Sequence, residues 1–330
     1  MKKERFVQGP YSDYTPENTL SSRCIEKDLA LWYDKRHMEA YMKRVLEPHQ
    51  LAERSLIREF RKELWNPFIE GVKKYNQIQP GDRIAVCISG GKDSFILAKL
   101  MQQLRRVTDI PFELTFLVMD PGYSPENRRR IEENAALLHI PITVFETDIF
   151  AAAEDVKDNP CYLCARMRRG HLYKNAQALG CNKIALGHHF DDVVETTVLG
   201  LFYGSQLQAM PPKVHSLNFP GMELIRPMYC VHEEDIIRWA EYHELHFLNC
   251  ACRMTEKGKE DASKRREIKH LLKDLRKNSP NIEKSIFSAI HRVCLDTMVG
   301  CRWMGEDHTF EALYAARANA PDGAEGEEEE

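Results

Sequence analysis

The sequence contains no apolar run that approaches the roughly 18–20 residues a helix needs to span a bilayer, which excludes an integral membrane protein of that kind. The charged start of the chain is followed by no apolar segment of the secretory type, so we expect no signal peptide. Hydrophobic residues make up 43% of the 330 residues, which is enough for a sizeable core. We therefore expect a cytoplasmic protein with one large or two modest domains and no membrane partner.

The chain also lacks the net positive charge that is common in proteins that bind nucleic acid, since its formal net charge is −4. The acidity is concentrated at the end of the chain, where residues 321–330 contain six acidic residues and no basic ones. The remaining residues carry a net charge of +2. The acidic run predicts a solvated tail, and the mildly basic body is compatible with an RNA substrate.

Short apolar runs alternate with segments of helical periodicity. Strands are predicted at 83–88, 113–119, 142–145 and 183–186. Helices are predicted at 23–45, 51–75, 95–106, 125–138, 165–179 and 191–202, with two more within 259–299. Strands that alternate with helices of this length imply an α/β fold, in which a parallel sheet has helices on both faces.

The most informative segment is IAVCISGGKDS at 84–94, where a glycine-rich turn joins a buried strand to a helix. Such a turn directs backbone N–H groups and the positive end of the helix toward an anion. The two glycines allow phosphates to approach closely, and Lys92 adds a positive charge. The segment is not a Walker A loop, because Asp93 separates the lysine from the serine, and it is not a GxGxxG motif. It therefore predicts a phosphate-binding loop of another type.

Two further strand ends carry candidate ligand-binding residues. Met119 and Asp120 end the second strand, and Gly187 and His188 follow a later one. The carboxyl ends of parallel strands meet at one edge of the sheet, where open α/β folds bind ligands. Asp192, in the acidic pair that comes next, is a candidate Mg²⁺ ligand. Capping of the following helix is the alternative role for that pair.

The ten cysteines are expected to act as metal ligands or catalytic thiols rather than as disulfides. Cys161 and Cys164 form a CxxC at the start of a predicted helix, where the thiolate is favoured. Cys250 and Cys252 form a CxC. Four cysteines would close a structural zinc site, whereas three would hold an iron–sulfur cluster with one open iron. A redox pair or a chance core position is also compatible with the CxxC alone, and the six isolated cysteines predict buried small hydrophobes.

Five segments occur in a specific order: SGGKDS at 89–94, PCYLCARMRRG at 160–170, KIALGHHFDDVVETTVLGLFYG at 183–204, AMPPK at 209–213 and LIRPM at 224–228. Together they resemble the tRNA 2-thiocytidine synthetase family, the PP-loop tRNA sulfurtransferases of the adenine nucleotide alpha-hydrolase superfamily. The resemblance covers roughly residues 70–295. Phe190 departs from the family, which commonly has a basic residue after GHH, and the segment after Asp120 also differs.

The resemblance implies a PP-loop/HUP-like fold and an ATP-dependent tRNA sulfurtransferase. Its members adenylate C2 of cytidine 32 in tRNA and replace the oxygen with sulfur, using ATP, Mg²⁺ and a [4Fe-4S] cluster. The implied ATP-binding residues are Ser89, Gly90, Gly91, Lys92, Asp93, Ser94, Met119, Asp120, Gly187 and His188. The implied catalytic residues are Lys92, Asp93, Cys161 and Cys164. The implied cluster ligands are Cys161, Cys164 and Cys252, with Cys250 as the alternative.

An RNA substrate requires basic contacts, and Arg166, Arg168 and Arg169 follow the CxxC on the same predicted helix. We predict that they contact the tRNA. A cysteine desulfurase is the expected source of sulfur, and a homodimer is a further hypothesis. The predicted organisation is a helical extension at 1–78, a PP-loop ATPase domain with the iron–sulfur site at 79–255, C-terminal helices at 256–304 and a disordered acidic tail at 305–330.

Two other function classes stay open. The first is another PP-loop tRNA-modifying enzyme that forms 2-thiouridine or lysidine. Thiouridine enzymes with paired zinc fingers need CxxC motifs near both ends, which this chain lacks, and lysidine formation needs no cluster. The second is a non-catalytic RNA-binding module stabilised by zinc on the four cysteines of the CxxC and the CxC. The intact SGGKDS disfavours it, because a pure binding module does not use an ATP loop.

Overall fold

The structure is a computed structural model that describes residues 46–150, 160–248 and 264–318. The predicted helix at 23–45, Cys24, both cysteines of the CxC and the acidic run at 321–330 lie outside the described residues. The chain divides into two compact units, residues 1–51 and 52–330. The second unit contains the sheet, its helices and the site.

The helices of the described residues are α1 (Pro48–Ile57), α2 (Asn66–Lys74), α3 (Lys92–Val107), α4 (Pro125–Leu137), α5 (Pro160–Ala178), α6 (Phe190–Tyr203), α7 (Glu233–Tyr242), α8 (Lys264–Asn278), α9 (Ile282–Ala289) and α10 (Phe310–Ala318). The strands are β1 (Arg83–Ile88), β2 (Glu113–Asp120), β3 (Ile142–Glu146), β4 (Lys183–Ala185), β5 (Lys213–His215), β6 (Glu223–Ile225), β7 (Gly300–Trp303) and β8 (Glu306–Thr309). A π-helical turn lies at Arg61–Trp65 and a 3₁₀ turn at Leu295–Thr297. None of the helices in these described ranges is long and apolar enough to cross a membrane.

The central sheet has six strands in the order β3-β2-β1-β4-β6-β5. All neighbours are parallel except β5, which runs antiparallel to β6. The four predicted strands are present, each within one residue of its predicted end. The prediction of an α/β fold with a parallel sheet is therefore confirmed. Because β1, β4 and β6 are adjacent and parallel, the residues that follow them meet at one edge.

Side chains of β1 alternate between two separate hydrophobic clusters. Ile84, Val86 and Ile88 belong to the cluster that contains α3, whereas Ala85 and Cys87 belong to the cluster that contains buried residues of α5. A parallel strand whose successive side chains point to opposite faces must be covered twice to bury such an apolar run. The predicted layers, with helices on both faces of the sheet, are thus confirmed.

The start and the end of the described chain differ from the predictions. The helix predicted at 51–75 is interrupted by the π-helical turn, and its residues Leu56, Leu64 and Phe68 are fully buried in the main core. Residues 52–78 therefore belong with the sheet rather than with a separate extension. The segment from 305 to 318, predicted as part of the tail, contains β8 and α10. Met304 and Gly305, with φ of 51° and 88°, form the turn that joins β7 to β8.

Candidate functional site

The glycine-rich loop lies between β1 and α3, at the carboxyl-terminal edge of the sheet. Gly90 has a φ of 92°, and a Cβ there would lie 2.9 Å from the Leu248 side chain, so only glycine fits. Ser94 accepts a hydrogen bond from the Ser89 N–H at 3.2 Å and donates one to the Gly91 carbonyl at 2.8 Å. The loop is thereby fixed against the first turn of α3, whose N-terminus has no side-chain cap. This arrangement suits an anion.

Lys92, the first residue of α3, lies between two carboxylates. Its Nζ is 3.1 Å from Asp93 and 3.1 Å from Glu233, the first residue of α7. Burial lowers the pKa of Lys92, but the two carboxylates outweigh burial and raise it overall, so the side chain is charged. Glu233 also contacts Lys269. Sequence reasoning did not identify Glu233, which reaches the loop from a helix 141 positions away.

The segment after β4 approaches the loop closely. A Cβ on Gly187 would lie 3.0 Å from the backbone of Asp93, so the glycine is required for this approach. The pKa of His188 is lowered to about 4, mainly by burial; Asp192 opposes this shift, and the nearby Arg226 and Arg265 contribute to it. His188 is therefore neutral, and its Nδ1 has no hydrogen-bond partner among the described residues.

The neighbouring His189 forms a buried ion pair with Asp191. Burial opposes both charges, but the contact of the two side chains, 3.6 Å apart, raises the pKa of His189 to about 8 and lowers that of Asp191 to about 2. Asp191 also accepts a hydrogen bond from the Glu233 N–H at 2.7 Å. This pair connects the segment after β4 to the start of α7.

Asp192 completes a capping box at the start of α6. Its carboxylate accepts a hydrogen bond from the His189 N–H at 3.1 Å and lies 3.1 Å from Arg265 of α8. The capping role that the sequence left open is thus present. Within the described ranges, no group of three or more His, Cys, Asp or Glu residues could hold a metal ion, so Mg²⁺ binding by Asp192 stays a prediction.

A cavity of about 440 Å³ joins the sheet edge to α5. Its lining includes the predicted residues Ser89, Asp93, Ser94, Met119, Gly187, His188, Asp192, Arg168 and Arg169. Gly91 and Lys92 instead line a second cavity of about 890 Å³, which Asp93 also borders. Among the predicted residues, Asp120 forms an ion pair with Arg128 at 2.8 Å and accepts hydrogen bonds from two backbone N–H groups. Arg166 is exposed. The structure therefore brings together most, but not all, of the predicted set.

Helix α5 carries the CxxC to this cavity. Cys161 and Cys164 lie near its start, and Cys164 is half-buried. The next residue, Ala165, lines the cavity together with Arg168. The side chain of Cys161 and both cysteines of the CxC lie outside the part of the chain that the structure describes. Of the isolated cysteines, Cys87 and Cys181 are buried as predicted, whereas Cys230 and Cys301 are half-buried and Cys294, which follows α9 in the chain, is exposed.

Sequence reasoning also missed Arg226, which immediately follows β6. It is 8% exposed, and its Nε has no hydrogen-bond partner in the described part of the chain. Burial lowers its pKa to about 10, and the positive charge of Arg169 contributes in the same direction. The signal was its place in LIRPM, directly after a strand that ends at the same edge as β1 and β4.

Comparisons with known proteins agree with this geometry. The family model described as a PP-loop domain matches residues 64–257. A tRNA-cytidine(32) 2-sulfurtransferase from Neisseria meningitidis is 38% identical over 231 residues, which cover 68% of this chain and 70% of that protein. One from Aeromonas salmonicida is 36% identical over 231 residues, which cover 68% of this chain and 74% of that protein.

A solved structure extends the comparison to the fold. The U34-tRNA thiolase NcsA from Methanococcus maripaludis, with its [4Fe-4S] cluster, aligns with a TM-score of 0.55. The alignment covers 72% of this chain and 80% of that protein at 20% sequence identity, which is a likeness of fold.

Proposed function

Because the chain belongs to the PP-loop family that includes the tRNA-cytidine(32) 2-sulfurtransferases, we propose that it replaces the C2 oxygen of cytidine 32 in tRNA with sulfur. It is a tRNA sulfurtransferase with an ATP-binding domain of the PP-loop type. The proposal adds the nucleoside, the activation of its C2 by adenylation, Mg²⁺ as the ion that accompanies ATP, and a [4Fe-4S] cluster as cofactor.

One observation carries the proposal: a single cavity is lined by both the nucleotide loop and the helix that bears the CxxC. Ser89 and Ser94 of the loop line this cavity. Ala165, which directly follows Cys164, and Arg168 line it from α5. An enzyme that first activates a base with ATP and then replaces an oxygen atom needs both chemistries within reach of one atom. Neither lysidine formation nor a binding module requires this juxtaposition.

In the proposed first step the C2 oxygen of the cytidine attacks the α-phosphorus of ATP, and the bond from that phosphorus to pyrophosphate breaks. Lys92 and the N–H groups at the start of α3 stabilise the charge on the phosphate oxygens. Lys92 can move toward the phosphates without leaving Glu233 unpaired, because Lys269 contacts the same carboxylate. The two hydrogen bonds of Ser94 hold the loop against the first turn of α3.

In the second step a sulfur nucleophile attacks C2 of the adenylated base. The C2–O bond breaks, and AMP leaves with the original oxygen atom, so the base undergoes no net oxidation or reduction. The base must be turned out of its stack to reach the sheet edge, as enzymes that act on a base require. We propose that Arg168 and Arg169, which line the cavity, contact the RNA around this base. A cysteine desulfurase is the proposed source of the sulfur, and a thiol reductant releases its persulfide sulfur as sulfide before the attack.

We propose that Cys161, Cys164 and Cys252 hold the cluster, with Cys250 as the alternative third ligand. The donor chemistry fits, because the CxxC positions lie one helical turn apart in α5 and Cys164 is half-buried. A cluster bound by three thiolates leaves one iron open, and it would supply the sulfur atom from there.

The activity test uses the holoprotein, purified anaerobically, with ATP, Mg²⁺, sulfide and a tRNA transcript that has cytidine at position 32. We expect mass spectrometry of the digested RNA to detect 2-thiocytidine only when ATP is present, and none in a matched transcript with uridine at position 32. Formation of 2-thiouridine or lysidine would contradict the proposed substrate. Binding of tRNA without any ATP–pyrophosphate exchange would favour the binding module.

The cofactor test records the visible absorbance of the same protein beside iron, sulfide and zinc analysis. We expect a broad band near ~400 nm and about four irons per chain. Loss of the band in Cys252→Ala but not in Cys250→Ala would assign the third ligand, and Cys294→Ala, which removes an exposed thiol, is the matched control. A colourless protein with about one zinc would exclude the cluster.

A further inference from the structure

Arg226 is a buried arginine that contacts no carboxylate among the described residues. The side-chain amide of Gln77 makes two hydrogen bonds with the backbone of Arg226. Its oxygen accepts from the Arg226 N–H at 2.9 Å, and its nitrogen donates to the Arg226 carbonyl at 3.1 Å. The Nη1 of Arg226 donates to the Pro211 carbonyl, and its Nε has no partner in the ranges the structure describes. Burial of an arginine is costly unless an anion offsets it, so arginines are rarely buried without one. These hydrogen bonds fix the place of Arg226, and no carboxylate of the described residues supplies the expected anion.

The sheet topology brings Arg226 to the edge where the ligands bind. Ala185 of β4 pairs with Ile225 of β6, so Arg226 is level with Leu186, which lines the 440 Å³ cavity. The loop follows β1, on the other side of β4. Two strand spacings therefore separate Arg226 from the loop, a distance of about 10 Å.

The groups around Arg226 add positive charge and open donors. Arg169, which lines the cavity, acts electrostatically on Arg226, and Arg226 acts in turn on His188. Arg168 also lines the cavity, and its buried Nε has no hydrogen-bond partner in the described part of the chain. Its guanidinium lies 5.2 Å from the centre of the Phe150 ring, which orients it.

One carboxylate acts on Arg226, and it is already engaged. Asp192 favours the charged form of Arg226, but its oxygens bind Arg265 and the backbone of His189. The two tyrosines that also act on Arg226, Tyr173 and Tyr229, have pKa values raised by burial and are neutral. The neighbourhood therefore has an excess of positive charge that an external anion would balance.

We infer that Arg226, Arg168 and Arg169 form a binding site for a phosphate group, separate from the Ser89–Ser94 loop, and that the phosphate belongs to the backbone of the RNA substrate. A planar guanidinium with free donors suits a phosphate oxygen pair better than any neutral ligand. The inference deepens the proposed function and rests on it, because it assumes an RNA substrate at the same edge of the sheet.

The position of the site favours RNA over ATP as the source of the phosphate. The phosphates of ATP are expected at the loop that follows β1. The predicted nucleotide contacts extend from there to Met119 at the end of β2 on one side, and only as far as Gly187 and His188 after β4 on the other. In the order β2-β1-β4-β6, Arg226 lies on the opposite side of β1 from Met119. A second phosphate-bearing substrate that enters from the β6 side would meet Arg226 without displacing the nucleotide.

The test measures binding of unmodified tRNA and, separately, of ATP to the full-length holoprotein and its variants, at several salt concentrations. We expect Arg226→Gln to raise the Kd for tRNA about tenfold. The slope of log K against log salt should become shallower by about one unit, which is the contribution of one phosphate contact. Arg169→Gln, at an exposed position, should raise this Kd about threefold, and Arg226→Lys should recover part of the affinity because it keeps the charge. The Kd for ATP should change by less than about twofold in all three.

Arg83→Gln is the matched control, because Arg83 begins β1 at the opposite edge and pairs with Glu113. A variant with weaker ATP binding and unchanged tRNA binding would assign the phosphate to the nucleotide and overturn the inference. Unchanged affinity for both ligands would make Arg226 a structural residue. If Arg226→Gln does not fold, Arg169→Gln and Arg226→Lys decide the question. A wild-type protein that neither binds nor thiolates tRNA would instead contradict the proposed function.

Discussion

At the amino-terminal edge of the six-stranded sheet, Lys183 is 5% exposed and contacts Asp82 at 2.9 Å and Glu223 at 3.0 Å. At the carboxyl-terminal edge, Arg226 is 8% exposed and contacts no carboxylate of the described residues. The two cations are similarly buried in opposite electrostatic environments. At the first edge, Lys183 is paired with two carboxylates of the fold, which stabilises the sheet. At the second edge, the guanidinium of Arg226 keeps a hydrogen-bond donor open for a ligand.

The same contrast separates two arginine clusters that look alike in the sequence. On α4, Arg128, Arg129 and Arg130 each contact a carboxylate of the same helix. On α5, Arg169 contacts none within the ranges the structure describes, and it faces the cavity. Local i,i+4 pairs neutralise the first cluster as a solvated helix face. Positive charge in a sequence thus indicates an RNA contact only where the fold leaves that charge unpaired.

The largest effect is expected at the amino-terminal edge, from Lys183→Met. This change leaves Asp82 and Glu223 buried without their cation, which should lower the free energy of unfolding by about 3–5 kcal/mol. Urea denaturation at pH 7 measures it. Lys73→Met, which removes an exposed lysine of α2, is the control and should leave the midpoint unchanged. An unchanged midpoint in Lys183→Met would remove the contrast between the two edges.

The next effect is expected at the carboxyl-terminal edge, from Lys92→Ala. Loss of this charge from the phosphate loop should slow single-turnover thiolation about 100- to 1,000-fold, because it stabilises the phosphates in the transition state. The unfolding midpoint should change little, since Lys269 keeps Glu233 paired. Lys92→Arg, which keeps the charge but not the compact ammonium, should be intermediate. A large loss of stability with normal turnover would reverse the assignment of this edge to function.

The smallest effect is a pH dependence of stability that arises from His189 in the nucleotide-free protein. Burial alone would lower its pKa, but Asp191, Asp192 and Asp93 raise it to about 8 from an ordinary value of 6.5. The resulting stabilisation is complete below about pH 6.5 and is lost as the pH rises through about 8. It amounts to at most about 2 kcal/mol. His189→Gln should therefore flatten the fall in unfolding free energy between pH 6.5 and 8.

His188 provides an internal control for this measurement. Its pKa is lowered by burial to about 4, so its contribution is present above about pH 6.5 and is lost as the pH falls toward 4. The two histidines therefore act in different pH ranges. Equal slopes above pH 6.5 in the wild type and in His189→Gln would show that the ion pair with Asp191 does not form.

The sequence predicted the parallel strands and the phosphate loop because both depend on local patterns. The apolar run of β1 and the glycines that follow it are adjacent in the chain, and each has few structural solutions. The hairpin of β7 and β8 was missed, because its strands expose most of their residues and show no core pattern. The short strand β5 was missed for a related reason, since only three residues pair.

By itself the sequence determined the α/β fold, the position of the nucleotide loop and the presence of the CxxC on a helix, since periodicity, turn chemistry and motif spacing are properties of neighbouring residues. Only the tertiary structure decided which charges are neutralised. Lys183 obtains carboxylate partners from the starts of two other strands, whereas Arg226, near His188 and Arg169, obtains no carboxylate partner among the described residues. Pairing depends on distances of a few ångströms between side chains that are far apart in the chain, and only the packed sheet fixes those distances.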